Sequence, residues 1–409
     1  MDNETESTVF KRHTIYQPGK SWRRFLIGRP LSTADAPEQT IGKFIGLAVF
    51  SSDAMSSVAY APQEILVILA VAGVSAFHIS VPIALAICAL LAILIFSYEQ
   101  TIHAYPDGGG AYIVARDNIN NLAAQTAGAA LLTDYILTVS VSISSGVAQL
   151  VSAFPLLEAY KVEIAVVFIF LIMLINLRGV KEAGTAFAIP TYFFLVMMFT
   201  TIIVGFIRLL LGTLGVVQTP PMEMVAIGNS IQPITLFLIL KAFASGTTAL
   251  TGVEAISNGI TAFKEPRSKN AGITLIIMAL ILGSMMLSIT YLGNHIGVMP
   301  SEEETYISQL ARTVFDSRGI MYLLSIASTT IILVMAANTA FAGFPRLAAM
   351  AAADGYLPRQ LTYRGSRLVF SKGIVALAVI ASILVIIFKA SVTKLIPLYA
   401  IGVFLSFTI

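Results

Sequence analysis

The sequence predicts an all-α integral membrane protein, a bundle of about ten helical spans in which the first and sixth are interrupted. Three observations carry this. Of 409 residues, 57% are hydrophobic and only 11% charged, where a soluble chain would carry roughly a quarter; mean hydropathy is +0.85. Apolar runs of the roughly 20 residues needed to cross a bilayer recur along the chain. Two of these runs hold a carboxylate among Ser, Thr and Gly near their middle, where a costly charge marks an ion path or substrate site. Alternating period-two segments, the signature of a membrane barrel, are absent from the sequence.

Residues 1–40 are polar and charged and carry no cleavable signal, and are expected to form a cytoplasmic N-terminal segment. The membrane domain is expected over 41–409, with spans at roughly 41–72, 79–104, 122–154, 162–177, 186–211, 231–262, 270–293, 319–344, 373–390 and 395 to the end. The last run is still apolar at Ile409. It reads as a short final helix or as a chain that continues, and a C-terminal truncation is the favoured expectation. With the N-terminus inside, eighteen of the 25 Lys and Arg residues fall on inner segments and six on outer ones, with Lys241 inside the sixth run. That bias satisfies the positive-inside rule for a cytoplasmic N-terminus. The acidic Glu302–Glu304 then falls outside. Arg346–Leu361 reads either as an amphipathic helix along the inner surface or as an ordinary cytoplasmic loop. Pro300–Arg318 reads as a short surface helix. Cys88 is the single cysteine, so an intrachain disulfide is excluded.

Chemistry concentrates in three spans. In Ser51-Ser-Asp-Ala-Met-Ser-Ser57, Asp53 is followed by Ser57 and Tyr60 at i+4 and i+7, and the two Ser pairs with Pro62 predict a broken helix. In the sixth span Thr247, Thr251 and Glu254 have the same spacing, within a Gly- and Ser-interrupted stretch. In the third, Asp134, Thr138 and Ser142 share one helical face. Three faces of oxygen donors suit a hard cation, and unwound backbone would add carbonyls that replace its hydration shell. Matching breaks in spans one and six predict two five-helix halves in inverted repeat, with the site at the bilayer midplane.

Plainer roles compete for most of these residues. Membrane Ser and Thr also bond their own helix or a neighbour, and Tyr60 could serve packing alone. Lys241 could bridge to a carboxylate or reach an interface, and Asp134 lies near a span end where both readings stand. His13, His78, His103 and His295 are scattered, which argues against a transition-metal site. The loop Tyr105-Pro-Asp-Gly-Gly-Gly-Ala-Tyr112 lacks the Lys-Ser/Thr of a phosphate cradle and reads as a tight turn that lets span two dock on its neighbours.

That loop resembles the signature of the amino acid–polyamine–organocation (APC) transporter superfamily. Ser51–Tyr60, Leu250–Asn258 and Leu395–Phe404 resemble, within it, the KimA-type potassium importers, relatives of the KUP potassium transporters. The resemblance extends over Lys43–Ile409. It implies a LeuT-type fold, and proton-coupled potassium uptake across a bacterial plasma membrane. By matching motif it places an ion site at Asp53, Tyr60, Thr138, Ser142, Thr251, Glu254 and Tyr399. It also implies a further C-terminal region, associated with a homodimer and with control by cyclic di-AMP.

The function expected is therefore potassium import by proton symport, with the lipid bilayer as its medium and no resident cofactor. K+ would be held by Asp53, Thr138, Ser142 and Thr251, and Glu254 would link it to proton movement, since a buried carboxylate can take up and release a proton. The alternative is an amino-acid or polyamine permease on the same fold. Such a site would use the positive ends of broken helices for a substrate carboxylate, which Asp53 would repel. A channel or membrane-embedded sensor is the reading from another class. No nucleophile–base pair supports an enzyme, and no basic domain supports nucleic-acid binding.

Overall fold

A computed structural model of the protein describes residues 41–106, 108, 110–178, 180–218, 233–301, 303–365 and 369–408. The expected N-terminal segment 1–40 lies outside these residues, as do Asp107 and Gly109 of the glycine loop, Glu302 and Arg367. Eight described stretches are long and apolar enough to cross a bilayer, with two shorter apolar helices after them. The chain is a multi-pass membrane protein.

The first span is built from pieces: α1 (Lys43–Phe50), α2 (Ser52–Ser56) and α3 (Ala61–Leu69). Between α2 and α3 the chain tightens into a 3-10 turn over Ser57–Ala59, and Tyr60 leaves helical geometry at φ −123°. The sequence explains the break. The Ser57 hydroxyl donates to the Ala54 carbonyl at 2.6 Å, drawing hydrogen bonding away from the regular ladder. Pro62 sits in the first turn of α3, where a missing N–H is harmless.

The chain continues through α4 (Ser80–Ala104), the short α5 (Gly110–Asn118), α6 (Asn121–Ala153), α7 (Lys161–Arg178) and α8 (Val180–Leu210). The sixth span starts as α9 (Leu236–Gly246), capped by Thr235, whose side chain accepts from Leu238 N. It then unwinds: Thr251 is extended, Gly252 takes φ +79°, and the helix restarts only as α10 (Ala255–Asn258). After it come α11 (Arg267–Ile296), α12 (Tyr306–Val314), α13 (Ile320–Ala353), α14 (Ser371–Ile387) and α15 (Val392–Thr408). No β-strand occurs among the described residues. A single parallel bridge joins Ile41 to Phe263, tying the start of the first span to the end of the sixth.

Burial sorts the spans into a centre and a periphery. The first span and α6 are 72% and 78% buried across their apolar windows, against 33% and 28% for the spans of α4 and α7. The polar spans are thus the enclosed ones, with the more uniformly apolar helices facing lipid. Close approach is bought by small residues. A Cβ on Gly246 of α9 would lie 2.6 Å from Ile65 of α3 and 2.7 Å from Ile87 of α4.

Two connections differ from the sequence reading. Arg346–Leu361 is neither a surface helix nor a plain loop along its length, because α13 runs through Pro345 to Ala353. A proline inside a helix removes one backbone bond, and the following Leu-Ala-Ala-Met-Ala-Ala-Ala run has the propensity to continue. Within Pro300–Arg318 the expected helix is present as α12 but is no surface helix: Tyr306 through Ala311 are all buried. Its Thr305 cap, Gln309 and Ser308 supply the polar contacts that let a short helix sink between the spans.

The glycine loop docks the second span onto the sixth. A Cβ on Gly110 would overlap the Asn258 side-chain amide, and one on Gly108 (φ +81°) would lie 3.3 Å from the Asn258 carbonyl. Lys241 is exposed rather than bridged to a carboxylate.

Gly246→Ala is expected to destabilise the bundle by about 1–3 kcal/mol, the usual cost of overpacking. Thermal unfolding of the detergent-solubilised protein measures it, and an unchanged Tm would contradict the three-helix contact.

Candidate ion-binding site

The two broken spans run antiparallel, pairing break to break. Phe50 stacks on Phe263 at 5.5 Å. The Ser57 hydroxyl contacts the Ala249 carbonyl at 2.8 Å, and the Tyr60 and Thr251 hydroxyls share a hydrogen bond at 3.4 Å. Asp53 packs on the unwound turn itself, where a Cβ on Gly252 would stand 2.7 Å from its Oδ2. Only glycine satisfies both the positive φ and that approach.

All seven residues singled out from the sequence are buried: Asp53, Tyr60, Thr138, Ser142, Thr251, Glu254 and Tyr399. Contacts link four of them in one chain. Tyr60 and Thr251 meet directly, and Tyr60 also interacts with Tyr399 of α15. Thr138 of α6 shares a 3.1 Å hydrogen bond with the Tyr399 hydroxyl. Tyr399 therefore connects the third span to the break. Ser142 lies one turn further along α6 from Thr138, and no hydrogen bond joins its hydroxyl to any of the other six among the described residues.

Sequence reasoning left one member out and another open. Thr339 of α13 donates to Asp53 Oδ2 at 3.2 Å while also bonding the Ala336 carbonyl at 2.8 Å. Its signal was an Asn-Thr pair within an apolar span; Asn338 beside it accepts from Asn176 at 2.8 Å. Asp134, which its span position left open, is 2% exposed and lies close enough to Asp53 and Glu254 for their charges to interact.

The electrostatics follow from what is missing around the acids. Asp53 Oδ1, Asp134 Oδ1, Glu254 Oε2 and the Ser142 hydroxyl are buried without a hydrogen-bond partner. No Lys, Arg or His forms an ion pair with the three carboxylates among the described residues. A buried acid of this kind is ordinarily paired, so the cluster presents unsatisfied oxygens to a positive charge.

The two ends of the bundle differ. A cavity of about 530 Å³ reaches Thr339, and so the side of Asp53, from the end formed by Asn258, Arg346, Thr362 and Arg364. At the opposite end α12 sits as a plug. Gln149 and Ser152 of α6 hold its Thr305 cap at 2.7 and 3.0 Å. Gln63 of α3 accepts from Tyr306 N at 3.0 Å and donates to the Ser301 carbonyl at 3.2 Å. Arg312 closes on Glu304 with two 3.0 Å contacts, a bidentate pair.

Two antiparallel broken helices around buried polar groups, with a cavity leading towards them from one end, are the arrangement of a membrane carrier. The model of the amino acid permease family matches residues 42–409. The chain belongs to that family. It is also 47% identical over 389 residues to the potassium transporter KimA of Bacillus subtilis (strain 168), a match covering 95% of this chain and 63% of that protein. The chain thus spans about 63% of the length of its curated relative. The KimA-type resemblance carried by the motifs of spans one, six and ten extends over nearly the whole chain.

Gly252→Ala is expected to cost about 1–2 kcal/mol from its left-handed backbone and more from the push on Asp53. Gly355→Ala is the control, since it shares the positive φ but meets open space. A larger fall in Tm for Gly252→Ala is predicted, and equal falls would remove Asp53 from the account.

Proposed function

We propose that the chain is the membrane-spanning part of an importer of potassium ions driven by proton symport, in the bacterial plasma membrane. The observation that carries this reading is the set of three buried carboxylates with unsatisfied oxygens and no paired cation. A site of that charge favours a cation, and the hydroxyls and unwound backbone beside it suit a dehydrated alkali ion. The identity to a protein named a potassium transporter supports K+ as that ion.

In this reading Asp53, Thr138, Ser142 and Thr251 hold K+, with Tyr60 and Tyr399 lining the site. Asp134 adds to its negative field. Glu254 exchanges a proton as the ion enters and leaves. K+ is cargo, the proton is the coupling ion, and the protein has neither a resident cofactor nor an enzymatic step. The fold is two five-helix halves in inverted repeat, as the antiparallel pairing of the broken spans supports. With the N-terminus cytoplasmic, the cavity opens inward and α12 closes the outer side. A homodimer and control by cyclic di-AMP belong to this reading for the full-length protein.

An amino-acid or polyamine permease is the second reading, favoured by the family model. Asp53 at the break opposes a substrate carboxylate but not an amine.

The test is Rb+ uptake by the full-length protein in K+-free proteoliposomes with an inward proton gradient. Uphill accumulation is expected in wild type and is abolished in Asp53→Asn. Glu254→Gln is expected to keep Rb+ exchange at equal pH and lose gradient-driven accumulation. Competition by amino acids or polyamines, with no accumulation of Rb+, would establish the second reading instead.

A further inference from the structure

One buried acid has no part in the site above. Glu64 of α3 is 3% exposed, as enclosed as Asp53. Its side chain has a single hydrogen bond among the described residues, from the Thr393 hydroxyl of α15 at 3.3 Å. Among the described residues no ion pair reaches it, and neighbouring Lys394 and Lys241 on the packed α9 are both exposed. An ionised carboxylate has about four acceptor positions. One long bond leaves this group poorly satisfied for its depth.

Its placement is informative. Asp53, Ser57, Tyr60 and Glu64 follow one another along the first span, Asp53 before its break and Glu64 just beyond it. Glu64 lies one helical turn past Tyr60, its N–H donating to the Tyr60 carbonyl at 3.1 Å. Tyr60 and Glu64 both reach α15, through Tyr399 and Thr393 respectively. The adjoining Gln63 holds the start of α12. Glu64 therefore sits between the ion site and the plug, on the side the cavity does not reach.

We propose that Glu64 and Thr393 form a second, outer subsite for a monovalent cation, the first carboxylate an ion meets when α12 withdraws. This rests on the potassium reading above. The ion would sit against the Glu64 carboxylate and the Thr393 hydroxyl, then pass the break at Tyr60 to reach Asp53. Multi-site occupancy of this kind keeps each step shallow enough for release.

The experiment is Rb+ uptake into K+-depleted bacterial cells that lack other K+ uptake systems and express the full-length protein. Glu64→Gln is expected to raise the KM for external Rb+ by about tenfold while Vmax stays within about twofold, the signature of a lost binding contact. Glu64→Asp is expected to fall between, and Thr393→Val to raise KM less than Glu64→Gln. A structural role would instead lower Vmax and membrane level with KM unchanged, and that result overturns the subsite. If Glu64→Gln is not inserted in the membrane, the other two variants decide by the same criterion. Wild-type protein that takes up no Rb+ would remove the potassium reading, and this one with it. Normal uptake with an unchanged KM in all three variants would remove the subsite alone.

Discussion

The structure turns on the energy of carboxylates kept away from water without counter-ions. An acid at the centre of a membrane helix costs on the order of 2.5–3.5 kcal/mol on the gentler scales, so three together reach roughly 8–10 kcal/mol. That rivals the whole stability of a folded domain, about 5–15 kcal/mol. Asp53, Asp134 and Glu254 cannot all stay charged and alone at that expense. Cations or protons must neutralise part of the cluster, and a site balanced between the two is what ion–proton coupling requires.

The rest of the fold encloses that cluster. The breaks in the first and sixth spans bring backbone and hydroxyl oxygens against the acids, and the central helices α6 and α13 wall them off from lipid. Gly252 is the hinge of the arrangement, since its missing side chain is what lets Asp53 lie on the unwound turn. Helices with uniform apolar character stay outside because they have nothing to satisfy there. Access is unequal. The cavity reaches Thr339 from one end, whereas at the other a buried short helix is held by Gln63, Gln149 and Ser152. Carriers work by alternating such access around a fixed site, and here Gln63, Gln149 and Ser152 fix the start of α12 at the opposite end.

The spans, both breaks and the two main acids were legible in the sequence because each leaves a one-dimensional trace. Long apolar runs report the spans, and Asp53 and Glu254 stand out from them by composition. Thr339 left a weaker trace, since one hydroxyl in an apolar helix more often bonds its own backbone, as its contact with Ala336 does in part. Asp134 was ambiguous for a related reason: distance from a span end predicts depth poorly when a helix is as long as the 33-residue α6. The expected span ends at 344, and the alanines beyond Pro345 carry α13 onward to Ala353. The depth of α12 was hidden by its polar residues, and the partners of its Thr305 cap lie more than 150 positions away in α6.

By itself the sequence determined the membrane class, the order of spans, the positions of the two interruptions and the oxygen-donor faces. These follow from local composition and periodicity. Only the tertiary structure decided which faces meet: that Tyr399 joins Tyr60 and Thr138, that Thr339 holds Asp53, that a cavity enters from one end while α12 is buried at the other. The physical reason is that a helical period fixes a side chain's direction around its own axis and leaves the choice of neighbour to packing. Glu64 shows the division most plainly. In the sequence it is one more acid in an apolar run beside Pro62, and its burial against Thr393 exists only once α3 and α15 are brought together.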